Sequence, residues 1–62
     1  MRTVPAADLT PSDVLTATGC RVVRVIRAAL KLPAGKCWVV LRSRNGVERC
    51  ACWNKRTAIQ VY

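Results

Sequence analysis

The chain reads as short stretches of alternating apolar and polar residues, punctuated at Pro5, Pro11, Gly19, Pro33, Gly35 and Gly46. Turn signals this frequent favour several short strands over long helices. The clearest element is a hairpin. Lys36 to Arg44 is rich in β-branched and aromatic residues, Asn45-Gly46 follows, and Val47 to Trp53 returns. Asn-Gly marks a tight hairpin turn because both residues tolerate positive φ. After a turn at Asn54-Lys55-Arg56, Thr57 to Tyr62 reads as a last alternating strand.

The first half carries two patterns at once. Val22 to Ile26 is crowded with β-branched residues, which favours a strand over Cys20 to Arg27. Arg21, Arg24, Arg27 and Lys31 also recur at nearly helical spacing, with Val22, Ile26, Ala29 and Leu30 opposite. Thr10-Pro11-Ser12-Asp13 suits a helix start, and equally a turn before a strand over Val14 to Ala17. The strand reading gives one all-β domain over residues 1–62, a small five-stranded SH3-like barrel. The helical reading gives a compact winged helix of α+β class.

Two resemblances follow these patterns. Asp8-Leu9-Thr10-Pro11-Ser12-Asp13-Val14-Leu15 resembles the turn and strand that open SH3-like and Hint-type barrels, with Ser12 where those have glycine. From Gly19 onward, Arg-Val-Val-Arg-Val, Gly-Lys before a valine-rich strand, and Trp-Asn-Lys-Arg-Thr are similar to small proteins of actinobacterial phages. That likeness covers most of the chain and implies no activity. On the helical reading, Leu9-Thr10, Val14, Gly19, Ile26-Arg27 and Leu32-Pro33-Ala34 resemble an excisionase-like winged helix. In that pattern the span from Leu9 to Leu32 is short, and Arg21 stands near the place of the capping Ser or Thr.

Composition narrows the function classes. At 62 residues, folding hides only roughly 60% of the surface of the extended chain, which leaves no room for a deep walled pocket. Histidine is absent, and Asp8, Asp13 and Glu48 are the only carboxylates, so general acid–base chemistry lacks its usual groups. We expect no enzyme and no cofactor. No apolar run approaches the roughly 20 residues of a membrane span, and the N-terminus lacks the apolar stretch of a secretory signal. We expect a cytoplasmic protein, in the host cytoplasm if phage-encoded.

The net charge of +8 draws the chain towards polyanions and makes such binding salt-dependent. The expected partners are nucleic acid, DNA or RNA, or an acidic protein surface such as a phage-type modulator would dock on. A two-residue turn at Asn45-Gly46 would set Trp38 opposite Trp53, Arg42 opposite Arg49 and Arg44 opposite Val47 on one face. Lys55 and Arg56 extend that face, and Arg24 belongs to a separate basic block from Arg21 to Arg27. Guanidinium forks for phosphates beside indoles for bases suit single-stranded nucleic acid. The competing reading places both Trp in a core that has no Phe. Self-association through the same face would support a marginal core.

On that register Cys37, Cys50 and Cys52 join Val39 and Leu41 on the core face. The four cysteines, Cys20, Cys37, Cys50 and Cys52, show no Cys-x-x-Cys pair. Cys50 and Cys52 point the same way about 7 Å apart, too far for an easy bridge. We therefore expect free thiols acting as small buried hydrophobes, with no bound metal.

Overall fold

The computed structural model describes residues 2–62. It is mostly β. Five strands run in chain order: β1 (Arg2–Pro5), β2 (Arg21–Ile26), β3 (Lys36–Arg42), β4 (Glu48–Asn54) and β5 (Ala58–Val61). One short 3-10 turn, Ala6–Asp8, follows β1, and no α-helix occurs among the described residues. The winged-helix alternative is therefore overturned. β-Branched side chains at Val22, Val23, Val25 and Ile26 outweigh the helical spacing of the arginines.

The strands form two antiparallel sheets, β1-β5 and β2-β3-β4, not closed into a barrel. The segment expected as a strand over Val14 to Ala17 makes only two isolated bridges, Val14 with Arg21 and Leu15 with Val61. It joins the sheets nonetheless. Val22 N–H donates to Asp13 O at 2.9 Å, and Tyr62 N–H to Val14 O at 3.0 Å. The first strand instead lies at Arg2–Pro5, where the sequence pattern predicted nothing.

The core is small and aliphatic. Ala6, Leu9, Leu15, Val22, Cys37, Val39 and Val61 are buried, and Val4, Val25, Leu41, Trp53 and Ile59 pack on them. Each fully buried Val or Leu is worth roughly 1.5–3 kcal/mol relative to exposure. With so few of them, each one is a large share of the whole.

The hairpin loop differs from the expected one and decides the rest. Arg42 lies opposite Glu48, Val40 opposite Cys50, Trp38 opposite Cys52 and Cys37 opposite Trp53. Ser43 N–H donates to Val47 O at 2.9 Å, and Gly46 N–H to Ser43 O at 3.0 Å, with Gly46 at φ +83. Arg44, Asn45 and Gly46 thus make a three-residue loop whose glycine takes the left-handed position. Asn-Gly serves either loop, but the extra residue slides β4 by one place against β3, and a one-residue slip turns every side chain over.

Candidate nucleic-acid interface

The three-stranded sheet has a packed face and an open one. The packed face carries Val22, Val25, Cys37, Val39, Leu41, Ala51 and Trp53. The open face runs in three rows across β2, β3 and β4. Ile26, Trp38 and Cys52 form the first row, Arg24, Val40 and Cys50 the second, and Arg21, Arg42 and Glu48 the third.

A bulge makes this arrangement. The register shifts between Val22 and Arg24, leaving Val23 without an opposite residue. Residues three apart normally point to opposite faces of a strand. The extra residue returns Arg24 to the face of Arg21. Arg27, three residues further on, leaves that face, and its Nε donates to Ala7 O at 2.6 Å.

Several expectations are thereby corrected. Trp38 and Trp53 are not a pair: Trp38 is half-buried on the open face, while Trp53 packs against the core. Arg42 faces Glu48 rather than Arg49. Its Nη2 and Nε reach Glu48 Oε2 at 2.5 and 3.2 Å. Arg49 lies opposite Leu41 on the side of Trp53. Cys50 and Cys52 are exposed on the open face instead of joining the core. Lys55 and Arg56 sit in the β4–β5 turn, where they line a hollow with Gly35 and Asn54.

Like charges do meet directly, at a pair the sequence pattern does not single out. Arg21 lies opposite Arg42 across β2 and β3. Beside them Arg44 leans from the hairpin loop over Gly19, whose added Cβ would stand 3.6 Å from the Arg44 Nε. Arg21, Arg42 and Arg44 line a cleft of about 350 Å³ together with Val14, Gly19 and Ser43. Among the described residues, Arg42 alone of these three has a carboxylate partner, and Arg24 has none. Opposed guanidinium groups repel unless water or an anion screens them. The cleft and Arg24 therefore form an anion-attracting part of the sheet, with Glu48 offsetting Arg42 at its edge. Arg21 was missed because nothing in the local sequence announces the bulge that aligns it with Arg24.

A second concavity of about 450 Å³ opens on the other side of the hairpin. Leu15, Leu41, Val47 and Trp53 give it an apolar floor, with Arg49 and Asn45 also lining it.

All four cysteines are free. Burial pushes the Cys37 thiol above its ordinary value of 9.0, reinforced by Cys52 and opposed by Lys55 and Arg27. No group of three or more His, Cys, Asp or Glu comes together among the described residues. No helix among them is long and apolar enough to cross a membrane. Comparison with protein-family models, curated proteins and solved structures finds no match.

Proposed function

We propose that the chain is a small non-enzymatic module that binds nucleic acid on the open face of the β2-β3-β4 sheet. The observation that carries this reading is the Arg21–Arg42 opposition within a cleft completed by Arg44. The guanidinium groups of Arg21, Arg24 and Arg44, with no carboxylate partner among the described residues, suit phosphate oxygens, which they can grip in pairs. Trp38, half-buried between Ile26 and Cys52, offers an indole on which a base can stack, with Arg24 one row away. The chain's +8 supplies long-range attraction. The architecture is best read as an opened SH3-like barrel, because Val14 and Leu15 bridge the two sheets much as a short strand would. Four unpaired thiols fit a cytoplasmic setting.

The test is fluorescence anisotropy of labelled single- and double-stranded oligonucleotides titrated with the full chain at low salt. Binding should weaken steeply as salt rises. No binding to either form at low salt would sink the proposal.

The apolar concavity at Trp53 and Leu41 favours a second reading, docking on an acidic protein surface in the manner of a phage-type modulator. An apolar floor beside Arg49 suits a partner that presents an aliphatic side chain next to a carboxylate. Retention of one protein from nuclease-treated lysate at moderate salt, abolished in Arg49→Glu, would favour it.

A further inference from the structure

Among the described residues, the unpaired edge of β4 is the longest unbroken strand edge left open. β2 is covered at its start, where Val14 bridges Arg21 and Asp13 O accepts from Val22 N–H, and a bulge at Val23 breaks the rest of its edge. β1 has only four residues and ends in Pro5. β4 has seven residues, no proline and no bulge, and pairs only with β3. Proteins usually guard such an edge with Lys, Pro or a bulge. The middle of β4 is Cys50-Ala51-Cys52.

The hydrogen bonds at the two ends of the hairpin show which amides face outward. Ser43 N–H donates to Val47 O and Lys55 N–H to Gly35 O, both at 2.9 Å. Bonded and non-bonded pairs alternate in an antiparallel ladder. The odd-numbered residues of β4 are therefore spent on β3, and the amides of Glu48, Cys50 and Cys52 point out of the sheet. No other backbone bond claims those amides.

We infer that this edge pairs antiparallel with the same edge of a second copy, on a two-fold axis at Ala51. Pairing all seven residues of the strand with themselves requires that centre. The consequences are self-consistent. Cys50 faces Cys52 of the other copy, two small apolar side chains on the open face. Arg49 faces Trp53 of the other copy on the opposite face, where a guanidinium can lie over an indole. Glu48 faces Asn54. In a chain of net charge +8, Glu48 and Arg49 cancel within β4, so two copies can approach along this strand without net charge opposing net charge. The axis stands perpendicular to the sheet. Both open faces then look the same way and form one six-stranded surface with two Trp38 platforms. Dimerisation goes beyond the proposed nucleic-acid binding and does not depend on it.

The experiment is sedimentation equilibrium of the reduced full chain at moderate salt, without nucleic acid. A monomer–dimer equilibrium is expected. Cys50→Lys with Cys52→Lys sets lysine against lysine across the axis at positions exposed in the monomer. That variant should stay monomeric with an unchanged far-UV spectrum. A second arm uses a Cys20→Ser background, in which Cys50→Ser and Cys52→Ser chains are mixed with oxidised glutathione. The remaining Cys52 of one chain and Cys50 of the other then form one disulfide. Their two protons and two electrons pass to oxidised glutathione, giving two molecules of its thiol. The mixture should cross-link several-fold faster than either chain alone. A chain that stays monomeric at every concentration, a dimer that survives both lysines, or cross-linking no faster in the mixture would each overturn the inference.

Discussion

Arg2 and Asp13 meet across 2.6 Å in opposite surroundings, the arginine 63% exposed and the aspartate 5%. The second Asp13 oxygen accepts from Thr10 N–H at 3.0 Å. Its backbone carbonyl accepts from Val22 N–H. One residue thus ties β1, the 10–13 turn and β2 together. A buried carboxylate deprived of its cation keeps its desolvation cost. Arg2→Met should lower stability by about 2 kcal/mol, and a double-mutant cycle with Asp13→Asn should give a coupling of about 1–3 kcal/mol. Arg42 and Glu48, 54% and 47% exposed, are screened by water, and their cycle should give less than about 1 kcal/mol. Urea melts of both cycles decide the matter, and equal couplings would refute the contrast.

The two tryptophans should separate in their effects. Trp38→Ala removes the half-buried open-face platform and should cost about 1–3 kcal/mol in binding a single-stranded oligonucleotide, with a smaller loss of stability than Trp53→Ala. Trp53→Ala removes a side chain packed on the core and should cost about 2–3 kcal/mol of stability, below the roughly 3–5 of a fully buried aromatic. Thermal melts and anisotropy on the same two variants check the split.

Salt dependence tests the basic cleft. Removing one phosphate-binding guanidinium should flatten the slope of log affinity against log salt by about 0.7 for a single strand. Arg21→Ala and Arg44→Ala should each do so. Arg56→Ala, in the β4–β5 turn and outside the cleft of Arg21, Arg42 and Arg44, should leave the slope close to that of the parent chain. Equal changes from all three would mean diffuse charge rather than a site.

The thiols should react in order of exposure. Cys50 and Cys52 should be modified quickly by a chromogenic disulfide reagent, and Cys37 only as the chain opens. The Cys37 thiol is harder to ionise folded than unfolded. The unfolded chain therefore releases that proton first, and stability falls as pH rises past about 9, the thiol's unfolded range. Below that pH the contribution is fully present. Cys37→Ala should show a flatter decline above pH 9 in urea melts, and an unchanged decline would rule out this thiol as its source.

Gly46 sits at φ +83 with nothing near its missing side chain. Gly46→Ala should therefore cost only backbone strain, about 1 kcal/mol by urea melt. A far larger cost would mean the loop does more than turn the chain.

The hairpin was legible because Asn45-Gly46 lies between two β-rich runs, and β2 because its branched residues outweigh a helical charge spacing. The faces were not legible. They depend on one residue of loop length and one bulged residue, Val23, and neither changes the local pattern of side chains. The same slip separated Trp38 from Trp53 and turned Cys50 and Cys52 outward. β1 escaped notice because its pairing with β5 joins opposite ends of the chain, Arg2 with Val61, and only the assembled fold brings them together.

The three-residue loop at the hairpin tip has a consequence for how such a chain could diversify. Closing the same residues as a two-residue turn, with Arg44 opposite Val47 around Asn45-Gly46, would slide β4 back by a place. Trp53 would turn outward beside Trp38, and Cys50 and Cys52 would turn towards the core. The loop is thus a face selector. A substitution there that favoured the two-residue turn would exchange the chemistry shown on the two sides of β4 while leaving every strand residue as it is.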